Sequence, residues 1–179
     1  MFEGIRKSLG LRYARWQFRK EGDHPQSLTD FLQRASNVLI VLPSGYDDAV
    51  VAGNTLKKLF DGLKNVHLTI VTAGIRATAL NDMVKSEVVR FDDVDINKLF
   101  LPRKSVLHRV LVRTYDMAID LNLDFVLHAA YICKASRAPV RVGIVRENSE
   151  HFFNIQLNLN RAAPPQIVYE KFIHYLGMF

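Results

Sequence analysis

The sequence contains little cysteine and no long hydrophobic run. Its 179 residues include one cysteine, Cys133, so an internal disulfide is excluded and no zinc-site spacing is present. The six histidines form no metal-ligand pattern either. No segment approaches the roughly 20 consecutive apolar residues that span a bilayer, and the N-terminus lacks the apolar core of a secretory signal. We therefore expect a cytoplasmic protein that binds no metal.

The glycine motifs that bind phosphate groups are also missing. Glycines after the first predicted strand fit neither G-x-G-x-x-G nor G-x-x-x-x-G-K-[ST]. This disfavours nicotinamide, flavin and ordinary NTPase functions, and we expect no cofactor. What is present is a chain of 179 residues that is 49% hydrophobic, which suits one α/β core and is too short for two ordinary domains.

Positive charge is concentrated at one end of the chain. The formal net charge is +6 and the pI is about 9.5. Residues 1–20 hold six Lys and Arg side chains and one Glu, so the remainder is almost neutral. Because no nucleic-acid-binding motif or basic body accompanies this segment, we expect no nucleic-acid partner. We divide the chain into a basic N-terminal arm, residues 1–26, and one globular domain, residues 27–179.

The arm has the pattern of an amphipathic helix. Apolar side chains recur at steps of three or four and would share one stripe of a helix: Phe2, Ile5, Leu9, Tyr13 and Trp16. In one interpretation, residues 1–20 lie on an anionic membrane surface, which would make the protein peripheral at the inner membrane face. In the other, the stripe packs on the domain or on a second copy of it. The sequence leaves both open.

Strand and helix patterns alternate through the rest of the chain. Apolar, β-branched runs predict six strands, at 37–43, 66–72, 87–91, 116–121, 140–145 and 152–160. Helical patterns separate most of them, and a last helix follows residue 164. This order implies right-handed crossovers and a mostly parallel sheet covered on both faces. We therefore predict an α/β fold, a Rossmann-like three-layer αβα sandwich.

In such sheets ligands bind beyond the carboxyl ends of the strands. After the first strand the sequence places Ser44, Gly45, Asp47 and Asp48 at a strand-to-helix junction. A carboxylate there either caps the helix or acts as a general base that takes a proton from an attacking hydroxyl. The residue types allow both roles.

Two further patches follow later strands. Asp120 and Asn122, at the end of the fourth strand, either bind a hydroxyl-rich ligand or only form a turn. Cations flank the fifth strand and either hold phosphate or carboxylate groups or form a solvated surface: Lys134, Arg137, Arg141 and Arg146. His128 falls within a predicted helix and is interpreted as a core or boundary histidine.

Four segments together resemble one known family. Residues 38–56, 115–122, 135–144 and 169–177 are similar, in the same order, to segments of the family 9 glycosyltransferases, the ADP-heptose:lipopolysaccharide heptosyltransferases. In residues 38–56 the match is an apolar strand, a Ser-containing turn, an aspartate and a helix. Asp47 stands where the family has a glycine, and Asn54 where it usually has a proline.

The resemblance implies the GT-B architecture, in which two Rossmann-like domains face each other. The first holds the acceptor and the second the nucleotide-sugar, and transfer is inverting and needs no metal. Asp48 matches the position of the base that deprotonates the acceptor hydroxyl. From their place at the same edge, Ser44, Gly45, Asp47, Asp120 and Asn122 are the substrate-binding candidates.

This sequence corresponds to the acceptor side alone, so no residue is assigned to the donor and the lone chain is not expected to catalyse transfer. Our first hypothesis is an acceptor-side domain that binds a glycan or glycolipid, or works with a donor-domain partner chain. The alternative is a non-catalytic interaction module, or a homodimer, derived from such a domain.

Overall fold

The computed structural model describes residues 2–23, 27, 29, 31–60, 66–74 and 86–178. These residues form six α-helices: α1 (Phe2–Phe18), α2 (Phe31–Arg34), α3 (Tyr46–Phe60), α4 (Lys104–Val110), α5 (Leu127–Ala135) and α6 (Pro165–Leu176). They also form six strands: β1 (Asn37–Val41), β2 (His67–Ala73), β3 (Ser86–Phe91), β4 (Met117–Asp120), β5 (Val140–Ile144) and β6 (Ile155–Leu157). The helix predicted near residues 77–82 lies outside the described residues.

The six strands form one parallel sheet in the order β3-β2-β1-β4-β5-β6. At the carboxyl end of β1, Val41 pairs with Val71 of β2 and with Asp120 of β4. From β1 the chain adds β2 and β3 on one side of the sheet and β4, β5 and β6 on the other, so the strand order reverses between β1 and β4. We call the edge at the carboxyl ends of β1 and β4 the mouth of the sheet. The predicted Rossmann-like α/β fold is confirmed.

The central strands are apolar on both faces because crossover helices cover both sides of a parallel sheet. Residues 38–41 are all buried, and side chains of a strand point alternately to opposite faces. Ile40 packs with Leu56 of α3 and Phe172 of α6 on one face, whereas Leu39 packs on the other with the core formed by α1, α4 and α5. A strand of this kind is stable only when helices cover both faces.

The last strand is shorter than predicted. The pattern of residues 152–160 predicts one long strand, but only Ile155–Leu157 pairs with β5. Phe152 and Phe153 are buried in the core beneath α1 and α5 instead. They follow a short 3-10 turn, Ser149–His151, which redirects the chain before β6.

Helix α1 packs through its small residues. Gly10, Ala14 and Phe18 are buried at steps of four, and a Cβ at Gly10 would lie only 2.0 Å from the carbonyl oxygen of Leu99. The helix backbone therefore touches the chain between β3 and α4. The predicted stripe lies elsewhere on the helix: its side chains are 48–81% exposed, so it does not pack on the domain.

The segment after α1 is held by ion pairs. Glu21 lies 3.9 Å from Arg137, and Asp23 pairs with Arg141 and, at 3.4 Å, with Lys134. Burial acts to raise the pKa of Asp23, but the hydrogen bond and charge of Arg141, with the charge of Lys134, outweigh it and lower that pKa.

Within the described residues, no helix has the length and apolar content needed to cross a membrane.

The Gly10 contact is testable by a single methyl group. We expect Gly10→Ala to lower the free energy of unfolding by about 1–3 kcal/mol, because the added Cβ must push α1 off the Leu99 carbonyl. Gly4→Ala is the matched control, since a Cβ there meets nothing within 4 Å. It should leave stability unchanged or raise it by up to about 1 kcal/mol through helix propensity. Urea unfolding followed by circular dichroism measures both, and equal midpoints would contradict the packing.

Candidate functional site

The loop from β1 to α3 forms one side of the mouth of the sheet. Residues 44–47 are exposed, and α3 begins at Tyr46. The backbone nitrogen of Ala49 donates to the Gly45 oxygen at 3.0 Å, which closes the first turn of the helix. Asp47 and Asp48 lie in that turn, where the partial positive charge of the helix N-terminus favours carboxylates.

These two adjacent carboxylates have different environments. Asp47 is exposed, whereas Asp48 is half-buried with its carboxylate turned back over Gly45, where a Cβ would lie 3.4 Å from Oδ2. Burial raises the pKa of Tyr169 well above its ordinary value, and the negative charge of nearby Asp48 raises it further. Asp48 therefore lies beside Gly45, near enough to Tyr169 of α6 for its charge to act there, with part of its surface open to solvent.

The other side of the mouth is built on a buried ion pair. Asp120, at the end of β4, has no exposed surface, and its Oδ2 accepts a hydrogen bond from Arg146 Nη2 at 2.9 Å. Its Oδ1 accepts from the backbone nitrogen and the side-chain amide of Asn122, at 3.0 and 2.7 Å. Every oxygen of this carboxylate is thus bound by protein groups.

Arg146 satisfies its remaining donors on backbone oxygens. The guanidinium donates to Ile144 at 3.1 Å, and to Asn122 and Asp124 at 2.7 Å each. It therefore joins the ends of β4 and β5 to the loop after β4. A planar, five-donor group can satisfy this many acceptors from one position, which an ammonium cannot do.

The interpretation of the basic patch as a solvated surface is wrong for three of its four cations. Lys134, Arg141 and Arg146 are only 6%, 4% and 5% exposed, and each has a carboxylate partner. The side chain of Arg137 is 83% exposed. Arg141 and Lys134 bind Asp23 in the segment after α1, so their charges are used within the protein.

Asn122 connects the ion pair to the loop after β1. Its Oδ1 accepts a hydrogen bond from the backbone nitrogen of Ser44 at 2.8 Å. The structure thus brings all six predicted residues to one edge of the sheet. Asp120 and Asn122, however, are buried and bound to protein groups, so they support the mouth from within. Ser44, Gly45 and Asp47 are exposed, and Asp48 is half-buried.

His128 lies in the first turn of α5 at the same edge, as a boundary histidine. Its ring meets Phe91 edge-on, with centroids 5.4 Å apart. Burial lowers the pKa of His128 to about 4, although the charges of Asp120 and Asp93 act to raise it. The imidazole is therefore neutral at pH 7.

Sequence reasoning missed two residues of this edge, Arg146 as a buried partner and Tyr169. Tyr169 is 1% exposed and donates its hydroxyl proton to the Leu121 oxygen at 3.1 Å. A signal existed for Arg146, because it lies two residues after β5 while a carboxylate ends the neighbouring β4. No comparable signal marks Tyr169, whose neighbour Val168 begins the apolar stripe of α6.

A cavity of about 450 Å³ lies away from this mouth, between the end of α1, α4 and α5. Phe18, Tyr115 and Tyr131 are among its lining residues, and none of the six predicted site residues is. Among the described residues, no group of three or more His, Cys, Asp and Glu side chains could hold a metal ion.

Removing the guanidinium should strongly destabilise the fold. We expect Arg146→Met to lower the free energy of unfolding by about 3–5 kcal/mol, because Asp120 is left as an uncompensated buried charge. Arg137→Met, at the exposed cation, should change it by no more than about 0.5 kcal/mol. The double variant Asp120→Asn/Arg146→Met should be more stable than Arg146→Met, since the stranded charge is gone. Urea unfolding measures all three, and a mild effect of Arg146→Met would contradict a structural ion pair.

The partly buried ring of His128 should make the free energy of unfolding depend on pH. The pKa of His128 is about 4 in the folded protein and about 6.5 when unfolded, so the unfolded chain binds the proton more readily. The contribution of His128 to the free energy of unfolding is therefore constant above pH 6.5. As the pH falls toward 4, the free energy of unfolding decreases by at most about 3 kcal/mol. His128→Gln should flatten the pH dependence across that window, whereas His174→Gln, at an exposed site, should retain it. An NMR titration of the His128 ring with a midpoint near 6.5 would contradict this.

The fold is similar to that of solved glycosyltransferases. Escherichia coli heptosyltransferase WaaC with ADP matches with a TM-score of 0.63 and 16% identity, over 78% of this chain and 46% of that one. The glycosyl transferase family 9 protein of Veillonella parvula matches with a TM-score of 0.63 and 15% identity, over 80% of this chain and 42% of that one. E. coli ADP-heptose lps heptosyltransferase II matches with a TM-score of 0.59 and 16% identity, over 76% of this chain and 40% of that one.

The chain thus spans less than half the length of each of these enzymes, and identities this low establish the fold alone. The fold that the sequence resemblance implies is confirmed at that level, and membership of the family 9 glycosyltransferases stays a prediction. No curated protein matches the sequence. A family model, described as a family of unknown function (DUF6913), matches residues 11–179, which is most of the chain. The chain therefore belongs to the DUF6913 family.

Proposed function

We propose that this chain is the acceptor-side half of a family 9-like glycosyltransferase, and that residues 27–179 form the unit that binds a glycan or glycolipid acceptor at the mouth of the sheet. The observation that carries the proposal is the position of Asp48. It lies in the first turn of α3, directly beyond the carboxyl end of a central strand, half-buried and partly open to solvent. Ligands of parallel α/β sheets bind at this edge.

In the proposed reaction, the Asp48 carboxylate accepts the proton of an acceptor hydroxyl. The hydroxyl oxygen then forms a bond to the anomeric carbon of the donor sugar, and the bond from that carbon to the nucleoside diphosphate breaks. The diphosphate leaves with the electron pair, and the configuration at the carbon inverts. General-base catalysis of this kind contributes about 10²–10⁴ in rate when the base is within hydrogen-bond reach of the proton.

The rigidity of the loop supports a role for Asp48 over Asp47. The backbone nitrogens of Leu42 and Ser44 are bound to Val71 and Asn122, at 3.0 and 2.8 Å, so the loop is fixed on both sides of the mouth. The Asp48 carboxylate lies close to Gly45 of this loop and is half-buried, whereas Asp47 is exposed. A base that is already positioned loses less entropy when it meets its substrate.

The donor must be held by another domain. The solved relatives are more than twice as long as the part of them this chain matches, and the WaaC structure contains ADP. Direct displacement requires both substrates to be held in attack geometry. We therefore propose that transfer takes place with a donor-domain partner chain, and that the isolated chain binds the acceptor without turning it over.

The two adjacent aspartates provide a matched test of the base. With a nucleotide-sugar domain supplied as a separate chain, we expect Asp48→Asn to reduce the transfer rate by about 10²–10⁴. Asp47→Asn is the matched control, because it removes the same charge from the same helix turn. It should retain the wild-type rate within a few-fold. Product formation from a phosphorylated core oligosaccharide and an ADP-sugar is the measurement. An Asp48→Asn rate equal to wild type would remove Asp48 from the mechanism.

Acceptor binding by the chain alone can be followed separately. A phosphorylated core oligosaccharide should shift the amide resonances of residues 44–48 in a heteronuclear NMR spectrum, and ADP-sugar should not. If neither ligand has an effect and the chain forms a stable dimer that buries these residues, the alternative of a non-catalytic interaction module replaces this proposal.

A further inference from the structure

Helix α1 presents an exposed apolar stripe on the side opposite to its packed face. The buried positions Gly10, Ala14 and Phe18 define the inner face. With about 3.6 residues per turn, the large apolar side chains cluster on the other side, and we call them the outer stripe: Phe2, 81% exposed; Ile5, 56%; Leu9, 48%; Tyr13, 48%; and Trp16, 60%. Five large apolar side chains in one row form a contiguous exposed patch, which marks an interaction surface.

The outer stripe cannot turn inward, because the helix is fixed to the domain. Gly10 touches the Leu99 carbonyl, Arg6 Nε donates to the Lys98 oxygen at 2.8 Å, and Arg15 donates to the Asn148 side chain. Rotating the stripe onto the domain would break all three contacts. Residues 2–9, about 12 Å of helix, are all exposed, and Arg6 is the residue that ties these turns to the domain.

Cations flank the outer stripe, and within the described part of the chain they have no carboxylate partner. Arg12 and Arg19 lie on one side of it by helical geometry, and Arg6 lies on the other. No ion pair within 4.0 Å joins any Lys or Arg of residues 2–20 to an acidic group among the described residues. The guanidinium of Arg19 lies 4.5 Å from the centre of the Trp16 ring. Glu3 is the only acidic residue of the segment.

This combination favours one occupant over the others. A second copy of the stripe would bring two segments of net charge +5 together without opposing carboxylates. A nucleic acid would satisfy the cations but offers no apolar layer for Ile5 and Leu9. A bilayer with anionic lipids offers both, since the apolar side chains enter the acyl boundary while Arg and Lys remain at the phosphates.

We infer that the outer stripe of α1 and its flanking cations dock this protein on an anionic lipid surface, with the helix lying in the plane of the interface. Aromatic side chains such as Tyr13 and Trp16 suit that depth, where one end of the ring is wet and the other apolar. The docking does not depend on the proposed glycosyl transfer, since it uses none of the residues at the mouth of the sheet.

The chain contains its own probe, because Trp16 is its single tryptophan and lies in the stripe. The full chain is mixed with vesicles of phosphatidylglycerol and phosphatidylcholine in equal parts. We expect the Trp16 emission to shift to the blue and the protein to sediment with these vesicles. Vesicles of phosphatidylcholine alone should bind far less, and about 0.5 M NaCl should release the protein, because salt screens exposed charges.

Two variants separate the charge and apolar contributions. Arg12→Glu/Arg19→Glu should lower the partition coefficient by about 20-fold or more, since each cation near an anionic surface contributes roughly fivefold. Lys58→Glu/Lys171→Glu is the matched control: it makes the same change in net charge at exposed sites on α3 and α6 and should keep most of the binding. Ile5→Gln/Leu9→Gln should lower binding about tenfold or more without changing the thermal midpoint, because both side chains are exposed.

The inference is overturned if the wild-type chain leaves Trp16 emission unchanged and does not sediment with the anionic vesicles at low salt. Equal loss of binding in the two charge-reversal variants would also overturn it, since attraction would then be a property of net charge and not of α1. If analytical ultracentrifugation shows a dimer that Ile5→Gln/Leu9→Gln dissociates, while vesicles have no effect, the stripe is a self-interface. Vesicles without any glycolipid are used throughout, so a failure of acceptor binding at the mouth leaves this result unaffected.

Discussion

The geometry of the mouth depends on the buried pair of Asp120 and Arg146. Removing two charges from water costs several kcal/mol per ion, which an ion pair alone does not always recover. Here the cost is offset because every other hydrogen-bonding group is satisfied: Arg146 donates to three backbone oxygens, and the second oxygen of Asp120 accepts twice from Asn122. Such a network has one low-energy arrangement, since a shift of any member strands a buried charge. It therefore fixes the ends of β4 and β5 relative to each other.

The position of Asp48 follows from this pair through a short chain of contacts. Asp120 orients the side chain of Asn122, whose Oδ1 in turn holds the backbone of Ser44. The course of the loop determines where α3 begins, and the start of α3 determines the position of Asp48 in its first turn. For this reason Asp47 and Asp48 differ in exposure although they are neighbours in sequence. Because neighbouring residues on a helix point about 100° apart, the start of α3 also decides which of the two aspartates is the more exposed.

Elements whose burial is uniform could be predicted from the sequence, and groups whose burial depends on several segments could not. The apolar run of β1 identifies a central parallel strand wherever its neighbours lie. The position of Asp120 and Asn122 at the end of a predicted strand correctly places them at the mouth. It does not predict that both face inward, because that depends on an arginine 26 residues away from Asp120. A cation after β5 is more often solvated than buried, and only the convergence of three backbone oxygens and a carboxylate makes burial of Arg146 affordable.

Helix α1 shows the same limit in a different way. Periodicity identifies its large apolar residues, and these would usually be the packed face. The packed face is instead the one with Gly10 and Ala14, because close contact with the Leu99 backbone requires that no Cβ stands between them. The large residues remain on the outside, beside cations.

The location of this helix links the two proposals made above. Leu99 follows β3, and Leu127 begins α5 directly after the loop that follows β4, so the contacts of Gly10 with both residues lie toward the carboxyl edge of the sheet. The exposed turns that precede Gly10, tied to the Lys98 oxygen through Arg6, therefore start from that edge. A lipid surface that received the outer stripe would lie along the same edge, and an acceptor anchored in that surface would approach Asp48 by diffusion in two dimensions. The contact of one glycine with one carbonyl thus sets which face of α1 is free.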